Sequence, residues 1–300
     1  MKKNNSSKEI YNAAFPNLIL NERELKTLQK ILLGIVKDID ALCRKHGIMY
    51  MLGGGSCLGA VRHNGFIPWD DDVDIIMYKY DMLKLHVAIC EDFSEKYISV
   101  LPYMTRSPDR MMKVFLKGTV YKEIEKENMP CEHKIFVDVF PVVNMPVNEC
   151  RIIKNDKKHY FASRLFSLCH DSKYLSNTII AACKTNKELK KYYYFRRRFG
   201  RLARLVGIAF WRKRTRDLET GVPYVTGKEG IPCGISYKRE VFPSGFFSEV
   251  IEADFEDTKL FIPKEYDVYL KNLYGDYMQI PPEEKRIRHM VLVMNFGMEK

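Results

Sequence analysis

The sequence predicts a mixed α/β protein, and three observations predict it. An amphipathic helical stripe lies near the N-terminus, a strand, turn, helix, strand passage follows it, and short Pro-, Gly- and aromatic-punctuated segments close the chain. The helix begins at Asn21, which can cap with Glu24 at the third helical position. Leu25, Leu28, Leu32, Ile35, Ile39 and Leu42 recur at alternating threes and fours, and Gly47 follows the end. Next come an apolar strand, Ile48 to Leu52, the turn Gly53-Gly54-Gly55-Ser56, and a short helix ending near Gly65. After Pro68 and Trp69 the acidic run Asp70-Asp71-Asp72-Val73-Asp74 enters the apolar stretch Ile75-Ile76-Met77. Further elements are a helix over Tyr78 to Phe93, strands over Met112 to Leu116 and Lys134 to Val143, and a closing helix over Lys264 to Tyr274. Residues 1–9 are polar without periodicity and read as a frayed terminus. There is no internal repeat.

With 46% hydrophobic residues in 300, the chain can bury one substantial core without staples. We expect a single catalytic domain over 10–300, with a helical insertion over 150–220 set apart by its Lys, Arg and Tyr content. The eight cysteines are scattered without CxxC spacing and no signal peptide precedes them, so a reducing, cytoplasmic setting is expected. Cys131 and His133 form an isolated Cys-x-His pair, which ligates zinc only if distant partners converge. No apolar run approaches the ~20 residues needed to span a bilayer.

The net charge of +11 is concentrated between Lys184 and Arg216, where thirteen Lys or Arg face one acid, Glu188. Cations there mix with aromatics, as in Lys190-Lys191-Tyr192-Tyr193-Tyr194-Phe195-Arg196-Arg197-Arg198. That composition suits peripheral contact with an anionic membrane through 184–216. It also suits nucleic acid, or a solvated basic face with its rings turned inward.

Chemistry is most legible in the acids. Side chains two apart on a strand point the same way, so Asp72 and Asp74 project together, with Asp70 in register and Asp71 facing away. Asp138 lies on the same face as Phe136 and Phe140, opposite Val137 and Val139. Carboxylates held this close repel unless a cation sits between them, and oxygen ligands around a partly hydrated ion describe Mg²⁺ or Mn²⁺. Asp138 can also accept the proton of an attacking hydroxyl. The glycine turn lets backbone amides approach an anion at a helix N-terminus, though by itself such a turn also serves as a plain strand-to-helix connection.

The string from Gly54 to Ile75, GGSCLGAVRHNGFIPWDDDVDI, resembles the signature of the LicD family, which includes phosphocholine transferases and is related to fukutin and fukutin-related protein. Phe136-Val137-Asp138-Val139-Phe140-Pro141 matches as well, as do Tyr274-Gly275-Asp276-Tyr277-Met278, Pro281-Pro282, Arg286 and His289. The resemblance implies a nucleotidyltransferase-like core, with Asp70, Asp72, Asp74 and Asp138 as metal ligands and the last three catalytic. Gly54, Gly55 and Ser56 would face the donor phosphates; Arg62, His63, Arg286 and His289 fall on family positions with suitable charge, and Lys113 is a further candidate. Two departures stand out: Phe255-Glu256-Asp257 where the family shows Phe-Glu-Gly, and Met290 where a second histidine commonly follows.

The implied reaction is in-line attack of a sugar hydroxyl on the phosphorus of a CDP-alcohol, CDP-choline foremost, with CMP leaving. The acceptor would be a cell-surface glycan or a lipid-linked precursor, with no nucleic acid partner. Two rivals remain at this level: a nucleotidyltransferase releasing pyrophosphate, and a nucleic-acid-binding protein with a vestigial core, against which the intact acids speak.

Overall fold

The computed structural model describes residues 7–104, 108–283, 286 and 288–297, with side chains from residue 10. The chain opens with a helix, α1 (Ser7–Ala14), so the frayed terminus expected over 1–9 is corrected for Ser7 onward; residues 1–6 lie outside the described residues. Its cause is tertiary: Tyr11 and Phe15 are buried in a small core with Leu189 and Tyr193, and no local pattern announces that contact. Helix α2 (Glu22–His46) starts at the expected capping box. Asn21 Oδ1 accepts from Glu24 N and Glu24 Oε2 accepts from Asn21 N, each at 3.0 Å, and Gly47 ends the helix in the left-handed region at φ 60°. The six-residue stripe from Leu25 to Leu42 is buried throughout, and each such side chain contributes about 1.5–3 kcal/mol relative to exposure.

Strand β1 (Met51–Leu52) is shorter than the apolar run, and α3 (Gly54–His63) begins inside the glycine turn, with Gly53 as N-cap. Then follow β2 (Asp74–Tyr78), α4 (Lys79–Asp92), β3 (Tyr97–Val100), β4 (Met112–Leu116), β5 (Val120–Glu123) and β6 (Phe136–Asn144). The 150–220 segment folds as α5 (Glu149–Lys173), α6 (Asn177–Ala182), α7 (Lys187–Val206) and α8 (Ile208–Glu219). The C-terminal part supplies β7 (Lys228–Gly230), β8 (Val241–Pro243), the hairpin β9 (Val250–Phe255) and β10 (Thr258–Pro263), α9 (Tyr266–Tyr274) and β11 (Val291–Asn295).

The main sheet runs β1-β2-β6-β4-β3, with β7 and β8 added beyond the end of β6. Only β2 and β6 pair in parallel; β1, β4 and β3 join antiparallel. The mixed α/β expectation is met. Val137 and Val139 are fully buried on the face packed by α2 and α4, and the pleat turns Asp138 and Phe140 to the opposite face. The insertion leaves and returns at one point, because Val222 N donates to Asn144 O at 2.9 Å and β7 pairs directly with β6. Within it, α7 crosses α5 closely at Gly200, where a Cβ would stand 2.0 Å from Leu168 O.

Candidate active site

The parallel register sets Asp74 of β2 directly beside Asp138 of β6, and the antiparallel register on the other side of β6 sets Lys113 of β4 beside Asp138. Cross-strand neighbours share a face, so the two acids and the lysine stand in a row. Asp138 N donates to Val73 O at 3.0 Å, which extends the ladder back toward Asp72.

The glycines matter because of what touches them. A Cβ on Gly54 would meet Asp74 Oδ2 at 2.9 Å, and one on Gly55 would meet Asp70 Oδ2 at 2.8 Å. Gly54 also has φ 45°, in the left-handed region. Two carboxylates therefore sit against the first turn of α3, whose free amides and positive dipole end favour negative charge. Gly53 N donates to Asp74 O at 2.9 Å, and Ser56 Oγ accepts from Asp74 N at 2.9 Å, which locks the turn to the start of β2. Ser56 is thereby engaged with the backbone of the acid.

Asp72, Asp74 and Asp138 line one cavity of about 270 Å³ together with Gly54, Tyr269 and Glu240. Burial, first of all, and then the neighbouring carboxylates push the acids upward. Asp72 reaches about 6, while Asp70 and Asp74 are held well above the usual carboxylate range. Asp138 is also raised by burial, with Lys113 opposing the shift. Lys113 is itself buried; its ammonium pairs with Asp138 and lies 3.5 Å over the Phe136 ring. It is committed to the acid row, and no phosphate need be invoked to explain it.

The remaining sequence candidates gather on the other side of Asp70. Arg62 Nη1 donates to Tyr277 O at 2.6 Å and its Nε to His63 Nε2 at 3.0 Å, which makes His63 a neutral acceptor. Burial, then Arg62, lowers His63 accordingly. The Arg286 guanidinium stacks 4.3 Å over Trp69. His289 binds Asp71 twice, by its backbone N at 2.9 Å and by Nδ1 at 2.8 Å. Burial opposes charge on His289, but Asp71 outweighs it and keeps the ring protonated at neutral pH. Of the eight phosphate-binding candidates, Gly54 alone lines the cavity with the acids.

Asp71 lies ahead of β2 and outside the cavity lining, near the Asp72 carboxylate, and its role was not readable: it anchors the C-terminal segment to the acidic run. Tyr269, whose hydroxyl accepts from Gly54 N at 3.0 Å, and Glu240, pushed up to about 7 by burial, were also missed. The Phe-Glu block is explained as well. Glu256 sits at φ 57° and its Oε1 accepts from Phe66 N at 3.0 Å, bracing the loop after α3.

The donor set tests for a metal. Among the described residues, ligand atoms of Asp71, Asp72 and His289 lie within 4.8 Å of one another. A protonated His289 already paired with Asp71 is an internal counter-charge, however, and a poor ligand. Among the described residues no ion pair reaches Asp72 or Asp74, while Lys113 and His289 serve Asp138 and Asp71. Asp72 and Asp74 share the cavity with Asp138 and have, among the described residues, no ion-pair partner of their own, an oxygen donor set suited to a hard divalent cation, although Asp70, Asp74 and Asp138 are not in that close group of ligand atoms.

Residues 47–170 match the family described as LicD/FKTN/FKRP, nucleotidyltransferase domain. This stretch is a LicD-family domain. It holds the glycine turn and all four acids. Across most of its length the chain is similar to the lipopolysaccharide cholinephosphotransferase LicD of Haemophilus influenzae: 29% identical over 272 residues, 89% of this chain and 96% of that protein. A shorter likeness, 56% identity over 36 residues, joins it to the ribitol 5-phosphate transferase FKRP of human and of mouse, covering 12% of this chain and 7% of FKRP.

Proposed function

We propose that this LicD-family protein transfers phosphocholine, or a closely similar phospho-alcohol, from a CDP-activated donor to a sugar hydroxyl of a cell-surface glycan or its precursor, releasing CMP. The observation that carries the reading is the registered pair of Asp74 and Asp138 beside the N-terminal turn of α3, in one cavity with Asp72. Asp72, Asp74 and Asp138, with Asp70 behind them on Gly55, would hold Mg²⁺ or Mn²⁺. When bound, the ion supplies neutralising charge for the donor's diphosphate.

The rest falls to the chain's own groups. Gly54 and Gly55 let the Asp74 and Asp70 carboxylates lie against the first turn of α3, and Arg62 and His289 supply positive charge near Asp70. Asp138, oriented by Lys113, accepts the proton of the incoming hydroxyl. We read 10–300 as one catalytic domain interrupted by α5 to α8, which the adjacency of β6 and β7 supports. Eight cysteines scattered without CxxC spacing support a reducing, cytoplasmic setting.

The test is to incubate the protein with Mg²⁺ and CDP-choline, CDP-ribitol or CDP-glycerol plus a glycan acceptor, and to identify the released nucleotide. CMP released faster with CDP-choline than with the others, stopped by EDTA and lost in Asp72→Ala, is the expected result. Pyrophosphate from a nucleoside triphosphate would mean a nucleotidyltransferase instead.

A further inference from the structure

The helical insertion presents a face that the transfer reaction does not use. Along α7, Leu189, Tyr193, Gly200 and Ala203 are buried on one side. The adjoining side, about a third of a turn round the helix, carries Phe195, Phe199, Leu202 and Val206 at steps of four, three and four, a continuous apolar stripe turned to solvent. Each is at least 43% exposed, and Leu205 beside them reaches 85%. Phe195 and Phe199 pack against each other with centroids 4.4 Å apart and planes tilted by 45°. The stripe continues past the Gly207 elbow into the first turn of α8, where Phe210 is half exposed and packs on Trp211.

The exposed flank of the stripe is cationic. Lys191, Arg198 and Arg201 are exposed beside it, and after Glu188 the helix holds no acid. Large apolar side chains set in a cationic rim, on a helix whose inward side is already packed, fit the boundary between anionic headgroups and acyl chains. A second copy of the chain fits poorly, since it would bring two sets of arginines face to face. A nucleic acid would be met by cations and stacking rings, and has no use for Leu202, Leu205 and Val206.

We infer that the outer face of α7 and the α7–α8 elbow dock on an anionic lipid bilayer. Among the described residues no helix is long and apolar enough to cross a membrane, so the contact is interfacial. Helix α8 connects this surface to the reaction site. It runs about 18 Å from the elbow to Glu219, at 1.5 Å per residue, and Glu219 pairs with Arg110 in the cavity wall. A membrane-borne acceptor would thus be presented about one helix length from the acids.

Vesicle binding is read without turnover, so this inference and the proposed reaction can fail separately. The wild-type protein is sedimented with vesicles of phosphatidylglycerol and phosphatidylcholine, and with phosphatidylcholine alone, at low and physiological salt. Binding only to the anionic vesicles is expected, with a blue shift of Trp211 emission. Two double variants, Phe199→Glu with Leu205→Glu and Arg198→Glu with Arg201→Glu, should each weaken binding at least tenfold while leaving the melting temperature unchanged, because all four side chains are exposed. Failure to bind anionic vesicles at low salt would overturn the inference. So would unchanged binding by the Phe199, Leu205 variant, a wild-type dimer that this variant disperses, or duplex RNA binding that the variant keeps and that displaces vesicles.

Discussion

Replacing Gly54 by alanine should separate backbone strain from damage to the acids. Gly54 has φ 45° and Gly47 has φ 60°, so alanine at either place pays the left-handed cost, about 1–2 kcal/mol. For a chain of this size that lowers Tm by about 2–3 °C. The surroundings differ. Nothing lies within 4 Å of a Cβ on Gly47, whereas a Cβ on Gly54 meets Asp74 Oδ2 at 2.9 Å, closer than ordinary contact, and must displace that carboxylate. Restoring ordinary contact moves the carboxylate by about 0.5 Å, half of the ~1 Å misplacement that costs about 10²-fold. In the CMP-release assay with calorimetry in parallel, Gly54→Ala should lose about one order of magnitude in kcat, and Gly47→Ala should stay within twofold, at similar Tm. If Gly54→Ala keeps more than a third of wild-type kcat, or Gly47→Ala falls equally, Asp74 is not held by that turn in the way described.

Other outcomes follow from buried charges and close packing. Burial raises Glu240 from 4.5 to about 7, so its stabilising proton is fully bound below about 4.5 and is lost as pH rises through about 7. Glu240→Gln should therefore gain stability relative to wild type across that window, by about 3 kcal/mol at pH 8 and little at pH 4.5, in denaturant titrations; a flat difference contradicts it. Lys113→Met leaves Asp138 buried without its ammonium partner and should cost about 3–5 kcal/mol in chemical unfolding, most of it recovered when Asp138→Leu is added. Gly200→Ala puts a methyl 2.0 Å from Leu168 O and should lower Tm by about 5 °C through overpacking at the α5–α7 crossing, with vesicle binding and CMP release per folded molecule retained.

The elements most legible in the sequence are those whose determinants are local. The capping box of α2, its six-residue stripe, β4 and the strand bearing Asp138 stand close to their expected bounds. The strand alternation expected through Asp70 to Asp74 does not form, because β2 begins only at Asp74, although Asp72 and Asp74 do line one cavity. Features made by distant contacts were not legible. Helix α1 forms because Tyr11 and Phe15 find the α7 surface, and the β9–β10 hairpin was hidden because its strands alternate weakly and turn through a left-handed Glu256. At the site, the link between Asp71 and His289 spans more than two hundred residues, and Lys113 meets Asp138 only through sheet register. Neither spacing nor residue type could report which cation answers which acid.

The bond from Val222 to Asn144 makes the whole stretch between them a side branch of the sheet. Such a branch can lengthen, shorten or be exchanged without altering strand order or the alignment of the aspartates. What the molecule touches in its surroundings and what it does chemically are thereby free to diverge over generations, tied where Glu219 grips Arg110 and where Tyr11 and Phe15 pack on α7.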